Sequence, residues 1–437
     1  MESIVAKFGG SSVANGTQIR KVKAIIEQDP RRRYIVVSAP GISYENNTKV
    51  TDLLLLLDTL HKNHQDYHGV LHNIRRIYEG IANEFSISMD FDQEFEEILR
   101  QMDVGEGTDY IVSRGEYLNA KLMAQILDLP FVDAKDLLFF NQDGIFDEEA
   151  SIHAIGEILK DLPGAVIPGF YGQLPKGRIK TFSRGGSDFS GAVISAGVNA
   201  LVYENWTDVS GFLVADPRIV KNPERIKEIT YEELRELSYM GASVLHDEAM
   251  FPILKDRIPI KIKNTNAPEE EGTLILPQEK KRHFSNITGI AGRKNFTVIY
   301  IQKTKLNWDR SFYRKLMGIL ESHDIYLEHM PSSIDSVSLI IKDDVKDPKV
   351  RKVIDDIKNI CEPEAIGFER GISLITVVGH GMKNTTGTSA ICFQSLAKAN
   401  INIRLIVQGS SELNIIIGVN DEDYENAIEN IYHGFLK

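Results

Sequence analysis

Cysteine is scarce: the 437 residues hold two, Cys361 and Cys392, both inside apolar-patterned segments. Neither has the spacing of a metal ligand and two thiols cannot staple a chain of this length, so a disulfide framework is excluded and both read as buried thiols. Long apolar runs are missing too. The five leucines Leu53 to Leu57 are the most apolar stretch, far short of the roughly 20 residues that span a bilayer. Positive charge is not in excess: 50 Lys and Arg stand against 62 Asp and Glu, a net charge of −12. That balance argues against nucleic acid or an anionic membrane as a partner. No Walker A pattern occurs anywhere in the chain, which excludes a P-loop kinase. The N-terminus, Met1 to Phe8, has no basic stretch followed by an apolar one. It enters a strand-like run directly, so we expect no signal peptide and a cytoplasmic location.

What is present is the composition of a globular protein, 42% hydrophobic and 26% charged, too long for one ordinary core. Strand and helix patterns alternate over the first 265 or so residues. Ile4 to Phe8 and Tyr34 to Ser38 read as buried strands, Thr17 to Gln28 and Thr48 to Leu60 as helices. The pairing recurs at Ala165 to Gly169 with Ser187 to Gly197, and again at Ala200 to Glu204. Such alternation predicts a three-layer α/β/α domain with a mainly parallel sheet. His61 to Met102 interrupts it with purely helical patterning. Pro268 to Lys281 is charged and turn-rich, a hinge. Beyond it Leu316–Met330 and Cys392–Ile406 repeat one helix-then-strand pattern, each ending at a pair of serines, Ser332-Ser333 and Ser410-Ser411. We therefore expect one domain over residues 1–275 and two copies of a small β-α-β unit, of the α+β class, over 285–437.

The chemistry-bearing segments sit at strand-to-helix turns. Lys7-Phe8-Gly9-Gly10-Ser11-Ser12 follows the first strand; paired glycines let backbone N–H groups approach a polyphosphate, and Lys7 can reach a transferring phosphoryl group. Arg184-Gly185-Gly186-Ser187-Asp188 opens a helix, with an arginine suited to a carboxylate and an acid in the first helical turn. Glu116 follows Ser113-Arg114-Gly115, and Trp206-Thr207-Asp208-Val209-Ser210-Gly211 follows a strand. Each has an ordinary reading: a plain turn, a helix-dipole acid, a surface ion pair. His61, His64, His68 and His72 recur at helical spacing, but Gly69 interrupts them and no carboxylates accompany them, so a solvated face is expected and no protein-built metal site. Lys280-Lys281-Arg282 is a short linker cluster.

In this order the segments resemble the amino-acid kinase family and, within it, the monofunctional aspartate kinases. KFGGSSVA (Lys7 to Ala14), SRGE (Ser113 to Glu116), RGGSD (Arg184 to Asp188), WTDVSG (Trp206 to Gly211) and ADPR (Ala215 to Arg218) carry the likeness. The C-terminal repeat, with VVGHGM (Val377 to Met382) and NIRLIVQGSSELN (Asn402 to Asn414), is similar to tandem ACT domains. The resemblance implies transfer of the ATP γ-phosphate to the side-chain carboxylate of L-aspartate, giving 4-phospho-L-aspartate, the first step toward lysine, threonine and methionine. It implies that Lys7 and Asp188 are catalytic, Asp188 holding the lysine. Gly9, Gly10, Ser11, Thr207, Asp208, Leu213 and Arg218 would serve ATP, with Mg²⁺ bound alongside the nucleotide. Glu116 would take the substrate ammonium, and Arg184 a carboxylate, with Thr51, Gly185, Gly186 and Ser187 beside it. Where many members read GAKVLHP this chain reads Gly241-Ala242-Ser243-Val244-Leu245-His246-Asp247, so Ser243 stands at an ATP-site lysine. The ACT pair implies a homodimer or dimer of dimers and feedback inhibition by an amino acid. Asp309, Arg310, Ser311 and Phe312 with Glu328, His329, Met330, Ser332 and Ser333 would form its site. The two acids favour lysine, with threonine as the alternative. A kinase for another acidic amino acid, or an amino-acid sensor with an inactive kinase domain, are the competing readings.

Overall fold

The computed structural model describes residues 2–43, 47–183, 185–242, 251–280, 285–342 and 346–436. The chain packs as two compact units. The first takes Met1–Phe212, Arg225–Leu234 and Val244–Lys281; the second takes Leu213–Glu224, Arg235–Ser243 and Arg282–Lys437. The division is thus not a single cut: two short segments before residue 245 belong with the C-terminal unit.

In chain order the first unit carries strands β1 (Ile4–Phe8), β2 (Arg32–Val37), β3 (Phe139–Phe140), β4 (Phe146–Asp147), β5 (Ala165–Pro168), β6 (Tyr171–Gln173), β7 (Ile179–Thr181), β8 (Val202–Thr207), β9 (Glu228–Thr230), β10 (Ile260–Asn264) and β11 (Thr273–Leu276). Seven form one sheet in the order β5-β2-β1-β8-β10-β11-β9, parallel from β5 through β10. Helices cover both faces of a parallel sheet, so its strands read as continuous apolar runs. β1 is buried at all five positions, which makes Lys7 an exception to be explained. A small sheet, β4-β3-β6-β7, flanks the large one.

The helices are α1 (Gly16–Glu27), α2 (Val50–Lys62), α3 (His68–Glu84), α4 (Phe91–Asp103), α5 (Thr108–Leu127), α6 (Glu148–Leu159) and α7 (Gly186–Gly197), followed by α8 (Tyr231–Tyr239) and the single-turn α9 (Phe251–Leu254). The helical stretch after His61 resolves into the end of α2, α3 and α4. Ile74, Tyr78, Phe91, Phe95, Ile98 and Met102 share one core with Phe8, Leu54, Leu57 and Leu118, so this insertion buttresses α5 from behind. The four histidines do not share a helix. The chain turns at His64, in a left-handed conformation (φ 54°), and His61 bonds Asp103 at 2.9 Å while His68 bonds Asp66 at 2.8 Å. Among the described residues no helix is long and apolar enough to cross a membrane.

The second unit is the repeat. β12 (Gly289–Gln302), α10 (Phe312–Ser322), β13 (Leu327–His329), β14 (Ser336–Lys342) and α11 (Asp347–Cys361) form the first copy. β15 (Ala365–Val378), α12 (Thr388–Lys398), β16 (Leu405–Val407), β17 (Asn414–Asn420) and α13 (Tyr424–Phe435) form the second. Each copy is β-α-β-β-α, one strand and one helix richer than the β-α-β unit expected from the sequence. The two merge into a six-stranded sheet, β13-β14-β12-β15-β17-β16, joined by the antiparallel pairing of the two 14-residue strands. When the two copies are aligned, Leu320 matches Leu396 and Ile325 matches Ile401, all four buried, while Leu327 and its match Ile403 are half-buried.

Candidate active site

The chain runs from β1 to β2 and β5 on one side of the sheet, then returns to place β8 on the other side of β1. Where strand order reverses in this way a crevice opens at the carboxyl ends of the strands. Here those ends are Lys7-Phe8 and Trp206-Thr207. The turn after β1 enters the crevice as a short 3-10 helix, Gly10–Val13. Gly9 N–H donates to the Trp206 carbonyl at 3.0 Å, and Gly41 N–H to the Gly10 carbonyl at 2.9 Å. A Cβ on Gly41 would lie 2.7 Å from the Gly10 carbonyl carbon, and one on Gly10 would lie 3.0 Å from the Ala39 oxygen. The two loops pass backbone to backbone, an approach that only glycine permits. With its N–H engaged, Gly9 shapes the turn, and the groups presented to the crevice are those of Gly10 and Ser11.

Lys7 is 7% exposed, and its Nζ lies 2.5 Å from Asp188 Oδ1. Asp188 comes from the first turn of α7, which starts after Gly185 in a left-handed conformation (φ 79°). Gly186 and Ser187 complete that turn, Ser187 packing so closely on Gly169 that a Cβ there would sit 2.7 Å from its own. An ammonium buried in a sheet is tolerable only with a partner, and Asp188 provides it. Asn205 Nδ2 donates to the same carboxylate oxygen at 2.9 Å, and the Tyr203 hydroxyl to the Asp188 carbonyl at 3.1 Å. Thr207 Oγ1 donates to Asp208 Oδ1 at 3.2 Å.

A cleft of about 490 Å³ lies at the turn after β1, lined by Gly10, Ser11, Lys49, Thr51, Glu116 and Asp208 together with Ser38 to Ile42. Glu116 is 4% exposed. Burial lifts its carboxyl from the ordinary 4.5 to about 8, against the opposing pull of the Ala39 N–H, its own N–H and the Arg114 guanidinium. Among the described residues its Oε2 has no hydrogen-bond partner. A buried carboxyl with a spare oxygen facing a cleft is built to receive a cation. Arg114, two residues earlier, is stacked on the rings of Tyr110 and Tyr117, both at 4.4 Å, and Tyr171 at 5.4 Å, which anchors this end of α5. Tyr78 of α3 donates to the Gly115 carbonyl at 2.8 Å, so the helical insertion also holds Glu116 in place.

The remaining candidates fall elsewhere. Arg184 and Ser243 lie outside the described residues. Leu213 and Arg218 belong to the second unit, where exposed Arg218 pairs with Asp216 at 2.6 Å. In the first repeat copy Asp309 is held by Lys303 at 2.9 Å and by Ser311 Oγ at 2.9 Å, which together pull its carboxyl down to about 2. Phe312 is buried, and Arg310 follows Asp309 in the same loop. Glu328 is buried between Lys342 at 3.1 Å and the Tyr239 hydroxyl. Burial depresses the neighbouring His329, whose Nε2 is unpartnered among the described residues. Met330 and Ser332 follow, Ser332 bridging to Val337, and Ser333 N–H donates to the Ser336 carbonyl at 2.8 Å. Both acids are thus already charge-compensated. Sequence reasoning missed Asn205, Tyr203 and the Ser38–Gly41 loop. The Pro40-Gly41 pair directly after β2 is a turn signal that marked the loop; nothing marked Asn205.

A model of the amino acid kinase family matches residues 2–264, and an ACT domain model matches residues 375–435. Aspartokinase 3 of Bacillus subtilis (strain 168) is 36% identical over 453 residues, covering 99% of this chain and 98% of the relative. Lysine-sensitive aspartokinase 3 of Escherichia coli (strain K12) is 28% identical over the full length of both. Among solved structures, aspartate kinase from Clostridium acetobutylicum matches all of both chains with a TM-score of 0.92 at 49% identity. E. coli aspartokinase III in complex with aspartate and ADP matches all of both with 0.76 at 25%.

Glu116 makes a test that needs no ligand. Between pH 4.5 and about 8 the folded state keeps the Glu116 proton that the unfolded chain releases. The unfolded state then binds fewer protons, so stability carried by this group falls as pH rises. Glu116→Gln should match the wild type at the acid end of that window and exceed it at the alkaline end by roughly 4–5 kcal/mol. Urea unfolding across the window reads this directly; a difference that does not vary with pH would contradict it.

Proposed function

The chain belongs to the amino acid kinase family, and from that premise we infer that it is an aspartate kinase, moving the γ-phosphate of ATP to the side-chain carboxylate of L-aspartate. The observation that carries this reading is a cleft lined by a buried glutamate with a spare oxygen and by the glycine turn that directly follows a buried, carboxylate-held lysine. The acceptor carboxylate is ionised at neutral pH and needs no general base. Catalysis reduces to positioning and to charge stabilisation in a loose transition state.

Each residue then has a task. Gly10 and Ser11 present backbone donors to the ATP phosphates, at the turn that Gly9 shapes. Lys7, one proton engaged by Asp188, has two donors left for the oxygens of the transferring phosphoryl group. Glu116 takes the aspartate ammonium, which returns the carboxyl to its charged form and satisfies Oε2. Arg184 takes the α-carboxylate, with Thr51, Gly185, Gly186 and Ser187 around it. Thr207 and Asp208 border the nucleotide. Lys49, which lines the cleft, supplies the charge that Ser243 lacks. Among the described residues no three carboxylate, imidazole or thiol groups converge. That donor set suits a Mg²⁺ that arrives on the ATP and is held through phosphate and water, with Asp208 within the cleft; when bound it neutralises phosphate charge. A cytoplasmic location fits these substrates. An inactive sensor would have no use for the intact Lys7–Asp188 pair.

The test is ADP release with aspartate, glutamate or no acceptor. Release should depend on aspartate and be near background otherwise. Glu116→Ala should raise the KM for aspartate far more than that for ATP, since leaving a buried charge unpaired takes about 2–5 kcal/mol. Glutamate used as readily as aspartate, or equal effects on both KM values, would refute the assignment.

The ACT pair supports feedback inhibition, and the lysine-sensitive E. coli relative favours L-lysine over threonine. A dibasic ligand at Asp309 or Glu328 would have to join or displace Lys303 or Lys342. The edge strands β13 and β16 leave the six-stranded sheet open, which favours a homodimer or dimer of dimers assembled through this unit. Millimolar lysine should inhibit, and a tenfold change in potency corresponds to about 1.4 kcal/mol of coupling. Asp309→Ala and Glu328→Ala should each weaken that inhibition while leaving basal turnover in place. Inhibition by threonine alone, or unchanged lysine potency in both variants, would overturn the effector assignment.

A further inference from the structure

Asn205 is 3% exposed and lies in the middle of β8. In the parallel register of β1 and β8 it stands directly beside Lys7. Cross-strand partners project from the same face of a sheet, and Asp188 arrives over that face from the first turn of α7. Asp188 Oδ1 therefore collects two donors, Lys7 Nζ at 2.5 Å and Asn205 Nδ2 at 2.9 Å. A carboxylate carries no hydrogen to give, so the amide must present its NH₂ side. Two residues earlier on β8, the Tyr203 hydroxyl holds the Asp188 main chain at 3.1 Å.

The chemistry of the second donor matters. Left to Lys7 alone, the carboxylate would swing with the lysine when the ammonium follows charge developing on the phosphoryl oxygens. A second cation in place of Asn205 would neutralise Asp188 and loosen its hold on Lys7. A second carboxylate would hold the ammonium back from the reaction. A neutral donor fixes the carboxylate and leaves the charge balance of the pair unaltered. We propose that Asn205 is a positioning residue for phosphoryl transfer, clamping Asp188 so that Lys7 keeps its aim. The proposal rests on the kinase reading above.

Two variants test it, each compared with wild type at saturating ATP and aspartate. Asn205→Ala should lower kcat about tenfold, the order expected for losing a hydrogen bond to a charged group, with both KM values within about twofold. Asn205→Asp keeps the shape. Its ionised form sets a carboxylate against Asp188, while its protonated form restores a donor. Like charges at this distance raise the pH at which the pair holds a proton. The ratio of variant to wild-type kcat should therefore climb several-fold as pH is lowered from about 8 to about 6. A purely structural role would leave that ratio flat, and a flat ratio overturns the proposal even if Asn205→Ala fails to fold. So does an Asn205→Ala enzyme with kcat within about twofold of wild type. A wild type that releases no ADP with aspartate would sink both readings; an active wild type with indifferent variants would sink this one alone.

Discussion

An ammonium inside a parallel sheet is the constraint around which the kinase unit is arranged. Lys7 occupies the fourth position of a strand buried at every residue, where a lone charge would be prohibitive. The 2.5 Å contact with Asp188 makes it admissible, and the geometry of that contact dictates much else. α7 must begin directly above the end of β1, which the left-handed Gly185 arranges. β8 must lie next to β1, which the reversal of strand order arranges. Because the pair sits at that reversal, the lysine ends beside the Gly9 turn, its Nζ 3.5 Å from where a Gly9 Cβ would lie. A charge whose burial would weaken the fold thereby becomes a preorganised one, aimed before substrate arrives.

Glu116 applies the same logic with the opposite sign. Its helix is held from behind by the Arg114 stack on three tyrosines and by Tyr78. Its carboxyl is left without a full set of partners and its affinity for a proton is raised to about 8. Lys7 is satisfied within the protein, whereas Glu116 keeps an oxygen without a partner among the described residues. In the proposed reaction one group serves the transition state and the other selects the acceptor. The helices between α2 and α5, which carry none of the site residues, form the wall against which Glu116 is braced.

Much of this was legible in the residues. Strand-helix alternation gave the parallel α/β unit because parallel strands are apolar throughout, and glycine turns marked the site because only they bring backbones so close. Leu320 with Leu396 and Ile325 with Ile401 revealed the repeat, since both copies bury the same positions. Other features were hidden because they depend on long-range pairing. Asn205 is an unremarked residue in an apolar strand until β8 is set beside β1. The two segments before residue 245 that join the C-terminal unit carry no local signal. Asp309 and Glu328 read as free acids in one dimension, and their lysine partners, Lys303 and Lys342, become evident only in three.

In the proposed reaction Asp188 acts through Lys7 and not by itself. A double-mutant cycle on kcat isolates that dependence. Lys7→Ala should lower kcat about a hundredfold or more, and Asp188→Ala should lower it substantially. The double variant should be no slower than Lys7→Ala alone, because an aspartate with no lysine to hold has nothing left to contribute. Losses that multiply in the double variant would show two independent contributions and contradict the account.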